Sequence, residues 1–218
     1  MPTDQTVRFD DGRLLGYDDV GSSHGPPVFF FHGTPGARTY WSLAGDPADA
    51  VGTRIISIDR PGFGLSTPEP QRSIGSFAFD VSRLADALGI ERFSVLGFSG
   101  GAPYALATAS HLPDRVCAVA LIAPIADLSV PDIAASLDDR LKRGMTFATS
   151  SPTGHASAVA ELLGPDRLVT TITDHVWAHL PPVDRAILNR PEVKAAAHRM
   201  LKETARQGIE GARLEIDL

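Results

Sequence analysis

The chain has 218 residues, 43% of them hydrophobic, and a formal net charge of −6. That length suits one domain with room for an inserted subdomain, and the apolar content excludes a disordered chain. The acidic balance, with no block of Lys and Arg, argues against nucleic-acid binding, and no apolar run approaches the ~20 residues that span a bilayer.

Apolar segments 7–9 and 14–20 flank Asp11-Gly12 and predict a hairpin. Residues 28–31, 54–58, 93–96 and 116–122 are short apolar or β-branched runs. Unbroken runs of this length predict strands buried on both faces, as in a parallel sheet. Between them, Ile74, Phe77, Val81, Leu84, Ala85 and Leu88 recur at spacings of three and four, which is one face of a helix over 74–88. Ser73 is placed to cap its start and Gly89 to end it. A second helix is expected over 103–111. Strand and helix alternate, so the fold class is α/β, a mostly parallel sheet with flanking helices and right-handed crossovers.

Cys117 is the single cysteine, so no internal disulfide forms within the chain. A reducing, cytoplasmic setting follows as the expectation, and the apolar run VCAVALIA makes Cys117 a buried hydrophobe. The polar, acidic start MPTDQTVRFDDG does not read as a signal peptide. Beyond Pro124 the character changes to helical stretches at 132–146, 155–163, 166–179, 183–189 and 192–206, punctuated by prolines. No strong strand is expected within 129–208, which reads as an all-helical layer over the sheet.

The stretch LGFSGGAPYALA carries the chemistry. A serine hydroxyl is a poor nucleophile unless it is exposed, faced by a base and supplied with donors for an oxyanion. The pattern Gly97-x-Ser99-x-Gly101 displays Ser99 on a sharp strand-to-helix turn, where only small residues fit on either side. Two further strand ends carry tight loops: VFFFHGTPGAR at 28–38 and ISIDRPGFGLS at 56–66. Ligands of open α/β sheets bind outside such strand ends.

Together, His32-Gly33-Thr34-Pro35, Asp59-Arg60-Pro61-Gly62-Phe63-Gly64-Leu65-Ser66 and Gly97 to Gly101 resemble, in order, the motifs of the α/β-hydrolase superfamily. The resemblance implies that Ser99 is the nucleophile and that the Thr34 and Gly100 amides form the oxyanion hole. His32 and Gly33 would shape the loop, Gly97 and Gly101 the elbow. Members of this fold with an aspartate nucleophile, the haloalkane dehalogenases and epoxide hydrolases, differ at position 99. The implied organisation is a hydrolase core at 1–127, a helical cap at 128–212, and at 213–218 the start of a return to a core that is not completed. Thr34, Phe63, Phe98 and Tyr104 are candidates to line the pocket.

The triad acid and histidine of the family follow later strands. At ~30 residues per strand-helix unit, roughly 60 residues are expected to be missing. Asp127 is a candidate acid, with a plain turn residue as the alternative. Of the seven histidines, His24 and His32 precede the elbow, His111 ends a helix, and His155, His175, His179 and His198 fall in the cap. His175 and His179 share a helix face but lack a third metal ligand, so no metal or cofactor is expected. With nothing beyond it, 116–122 would be an apolar edge open to self-association or a complementing chain. The leading expectation is a serine hydrolase acting on a small ester- or amide-like acyl substrate, impaired by the missing base. A non-catalytic binding protein on the same fold is the alternative. A dinucleotide-binding domain is disfavoured, because no Gly-x-Gly-x-x-Gly is present and Pro35 removes an amide from the first loop.

Overall fold

The computed structural model describes residues 4–44, 51–125, 130–136 and 180–216. Its chain opens with the expected hairpin. Strand β1 (Gln5–Arg8) pairs antiparallel with β2 (Leu14–Gly21), and Gly12 takes a φ of 86° in the turn. Four parallel strands follow: β3 (Pro27–Phe31), β4 (Arg54–Ile58), β5 (Phe93–Phe98) and β6 (Val116–Ile122). The order is β1-β2-β4-β3-β5-β6, and β2 joins β4 antiparallel, so the sheet is mixed but mostly parallel.

Successive side chains of a strand point to opposite faces, and β3 shows the result. Phe29 and Phe31 pack with Ile56, Ile58, Phe93 and Val95 on one face. Helix α1 (Phe77–Ala87) covers them through Val81 and Leu84, and α2 (Ala102–His111) through Tyr104 and Ala105. Val28 and Phe30 point the other way, joining Ile55, Leu96 and Phe98 beneath Tyr40 and Trp41. Those two aromatics belong to a 3-10 helix, Arg38–Ala44.

Helix α1 begins three residues later than its apolar spacing predicts. Ser73 and Ser76 exchange two 2.9 Å bonds from backbone amide to hydroxyl, which closes a turn ahead of the helix. Ser73 therefore holds that turn instead of capping. Gly89 ends the helix as expected, with a φ of 65°.

Beyond the sheet, α3 (Pro131–Ser136), α4 (Pro182–Leu188) and α5 (Pro191–Thr204) fall within predicted helical stretches or within a residue of them. The predicted helices at 155–163 and 166–179 lie outside the described residues. Met200 and Leu201 of α5 pack on Tyr40. Where the sequence predicts no strand, Arg206–Ile209 forms a short β7 outside the six-stranded sheet. Gln207 holds it there, donating from Nε2 to the carbonyls of Gly64 and Ser66 at 2.8 Å. Helix α6 (Glu210–Ile216) follows.

The burial expected of 116–122, and of Cys117 within it, is not met. The run reads as buried on both faces, or as an edge if nothing pairs beyond it, and every residue from Cys117 to Ile122 is exposed. Among the described residues β6 pairs with β5 alone, so the strand forms the sheet edge and Cys117 faces solvent. A concavity of about 350 Å³ opens beside it, lined by Val28, Trp41, Ile55, Ser94 and Val119. It lies toward the strand starts, the end of the sheet opposite Ser99. Among the described residues no helix is long and apolar enough to cross a membrane.

Candidate active site

The end of β5 runs directly into a 3-10 turn, Ser99–Gly101, and then into α2. Ser99 takes a φ of +49° there. That left-handed conformation costs an ordinary residue about 1–2 kcal/mol and persists only where its surroundings enforce it. Two bonds do so here. The amides of Ala102 and Ile125 both donate to the Ser99 carbonyl, the second at 3.3 Å.

The glycines around Ser99 answer to close approach. A Cβ on Gly101 would stand 2.1 Å from the Phe31 carbonyl oxygen, and one on Gly97 would stand 2.7 Å from Ala102 Cα. The elbow is thus pressed against the end of β3. Gly100 meets the loop after β3 still more tellingly, because its Cβ would lie 2.5 Å from Thr34 Oγ1 and 3.2 Å from Thr34 N. The fold therefore brings together the two residues whose amides the motifs single out.

His32, Gly33 and Thr34 form the other wall. The His32 ring is wholly buried, with Nδ1 at 2.8 Å from the Gly33 carbonyl and Nε2 at 3.4 Å from the Arg60 amide. A carbonyl requires a donor and an amide requires an acceptor, so the partners assign the neutral, Nδ1-protonated tautomer. Burial, and then the Arg60 guanidinium, hold its pKa well below the usual histidine value. The ring is tied to its own loop and to the Arg60 amide, and its surroundings favour the neutral form.

Arg60 is fully buried and reaches four groups of this wall. It donates to the carbonyls of His32 and Gly33, to Thr34 Oγ1 at 2.9 Å, and to both oxygens of Glu215. Its guanidinium sits between the rings of Phe63 and Tyr104, 5.6 and 4.8 Å from their centroids. These aromatics, expected to line a pocket, are 1% and 3% exposed and enclose an arginine. Burial raises the Glu215 carboxyl, but the charge of Arg60, bonds from Arg60 and Thr34, and Arg72 outweigh it and leave the pKa below the usual glutamate value.

A second buried cluster holds the loop before Ser66. Asp59 accepts from the Arg38 amide at 2.6 Å, from the Leu65 amide at 2.9 Å and from the Arg38 guanidinium at 2.9 Å. Arg38 also bonds Asp4, Asp18 and Glu203, the last at 2.8 Å from α5. Burial lifts the Asp59 carboxyl to about 6, against the pull of Arg38.

Of the sequence-predicted residues, Ser99, Gly100, Thr34, His32, Gly33, Gly97 and Gly101 come together at the adjoining ends of β3 and β5. Asp127, His155, His175 and His179 lie outside the described residues. His24, bonded to Ser23, and His111, bonded to the Ala107 carbonyl, sit in an exposed loop and at an exposed helix end. His198 is half-buried on α5. Among the described residues none bonds the Ser99 hydroxyl, and no group of three or more His, Cys, Asp or Glu is placed to hold a metal ion. Sequence reasoning missed Arg60 and Glu215. Arg60 stands inside a motif that the sequence analysis singles out, so its signal was present; Glu215 carries none.

Residues 26–152, more than half of the chain, match the family described as alpha/beta hydrolase fold. The chain belongs to the α/β-hydrolase family. This α/β-hydrolase is 34% identical over 117 residues to the proline iminopeptidase of Xylella fastidiosa (strain 9a5c), which covers 51% of this chain and 36% of that protein. It is 35% identical over 113 residues to the dihydrolipoyllysine-residue acetyltransferase component of the acetoin cleaving system of Pseudomonas putida, 51% of this chain and 30% of that protein. The chain thus spans about a third of the length of these curated relatives. Epoxide hydrolase A from Mycobacterium thermoresistibile superposes with a TM-score of 0.67 over 99% of this chain and 74% of that one, at 21% identity. That likeness shows a shared fold.

Proposed function

We propose that this α/β-hydrolase is a serine hydrolase acting on an ester- or amide-like acyl substrate, with Ser99 as nucleophile. One observation carries the reading: Ser99 is held at a φ of +49° with Gly100 packed against the Thr34 amide. A binding role needs neither the strain nor the paired amides. In the proposed reaction Ser99 Oγ forms a bond to the acyl carbon while its proton passes to a base. The carbonyl electrons move onto oxygen, which the Thr34 and Gly100 amides stabilise. Collapse breaks the bond to the leaving group and leaves an acyl-serine, which water then hydrolyses.

Among the described residues no group bonds the Ser99 hydroxyl, and a serine without a paired base is a weak nucleophile, so we expect slow acylation and weak turnover. Asp127 is the candidate acid. A fluorophosphonate probe and p-nitrophenyl acetate test this reading on the 218-residue chain. The expected result is slow labelling that Ser99→Ala abolishes, with weak ester turnover. Robust turnover lost in Ser99→Ala would show that the chain has a working base. An unlabelled Ser99 in a folded protein would favour the non-catalytic binding protein instead.

A further inference from the structure

Thr34 raises a problem that packing alone does not solve. Thr34 and Pro35 are both exposed, and the backbone contact of Thr34 is with Gly100, which belongs to the elbow itself. Yet an oxyanion donor must keep its place to within a fraction of an ångström. The Thr34 hydroxyl provides a further anchor: it accepts from Arg60 Nη2 at 2.9 Å and donates to Glu215 Oε2 at 2.5 Å. Arg60 is itself bound to the two preceding carbonyls, so one guanidinium spans His32, Gly33 and Thr34.

Glu215 arrives from the far end of the described chain, and its approach is built into the backbone. Helix α6 lies so close to the loop after β4 that a Cβ on Gly211 would stand 2.4 Å from the Gly62 carbonyl oxygen. Arg72 closes the arrangement. It donates to the Pro61 carbonyl through Nη1, to the Gly211 carbonyl through Nη2 at 3.4 Å, and its Nη2 lies 3.5 Å from Glu215 Oε1. The Glu215 side chain is 5% exposed between two arginines that are almost fully buried. A carboxylate so placed is orientationally fixed, because moving it would leave buried guanidiniums unpaired.

We infer that Glu215 is a positioning residue for the oxyanion loop: braced by Arg60 and Arg72, it holds the Thr34 hydroxyl and thereby the Thr34 amide beside Gly100. The inference rests on the serine-hydrolase reading above and adds a contribution from α6, about 180 residues along the chain from the loop it steadies. Glu215 acts through Thr34 and touches no reacting atom. An ion cluster that only stabilised the fold would change unfolding and leave the chemical step alone.

The test is fluorophosphonate labelling of Ser99, resolved into the maximal rate kinact and the reversible constant KI, for the full chain, Glu215→Gln, Thr34→Val and the double variant. Thr34→Val keeps the amide and replaces the hydroxyl with a methyl group. Each single change should lower kinact at least about tenfold with KI unchanged, and the double variant should fall no further than the worse single. Parental kinact in a folded Glu215→Gln, or additive losses in the double variant, would overturn the inference. If Glu215→Gln does not fold, Thr34→Val decides alone, and a parental kinact there overturns it. If Ser99 of the parent is not labelled, the proposed function fails instead. Deuterium exchange at the Thr34 and Gly100 amides then judges the positioning claim, with faster exchange in Thr34→Val supporting it and unchanged exchange sinking it.

Discussion

His32 makes the fold sensitive to acid, and the size of the effect follows from its surroundings. In the folded chain the ring is wholly buried, bonded to the Gly33 carbonyl and the Arg60 amide, and kept neutral. In the unfolded chain it takes a proton near pH 6.5. Below that pH the unfolded state binds one more proton than the folded state, so stability falls with pH at about 1.4 kcal/mol per unit. Asp59 opposes this. Its folded pKa is raised to about 6, so the stability it contributes is present at low pH and is lost as pH rises from about 4 through about 6. The parent's own profile therefore mixes two slopes of opposite sign, and only a difference isolates His32. Urea unfolding of the parent and His32→Gln at pH 7.5 and 5.5 supplies it. The gap between the two proteins should narrow by about 1.4 kcal/mol at the lower pH. The same gap at both values would mean that His32 protonates within the fold, and the account of its neutral, loop-shaping role would fail.

Three substitutions test other parts of the argument. Ser99→Gly removes the left-handed strain, so calorimetry should show a gain of about 1 kcal/mol while labelling vanishes; a loss of stability would contradict the strain. Arg38→Met strips Asp59 and Glu203 of their shared cation and should cost about 3–5 kcal/mol in urea unfolding, whereas a change below about 1 kcal/mol would show that the cluster is not coupled. Gly101→Ala drives a methyl group into the Phe31 carbonyl and should cost about 1–3 kcal/mol together with slower Ser99 labelling; a variant normal in both would refute the close-approach reading of the elbow.

The elbow was legible because its requirements are local. A strand end, a serine and small residues two positions away on each side are all contiguous, and the structure meets them at Gly97, Ser99 and Gly101. The strands were legible for the same reason. Burial was not, because it depends on neighbours. The run at β6 has the composition of a core strand, yet Val119, Leu121 and Ile122 are 41%, 38% and 50% exposed. Nor does the spacing of apolar residues in 74–88 register that Ser73 and Ser76 prefer each other to a helix. Arg38 and Arg60 stood in the quoted loops without a role. What completes each one's set of partners is a glutamate from the last described helices, and no pattern of adjacent residues announces such a partner.

Those two partnerships have a consequence for how the protein is made. Arg38–Glu203 and Arg60–Glu215 join residues 165 and 155 positions apart, whereas the pairs of the first hairpin close within about a dozen. Closing a loop of that length costs about 2 kcal/mol more than closing a hairpin, before any contact forms. The sheet can therefore assemble first, and pulsed hydrogen exchange during refolding should protect β3 and β5 before Thr34. Arg60 and Arg72 both take a carboxylate from the last described helix, so the loop beside Ser99 is expected to settle only once Glu215 docks, after the sheet that carries it.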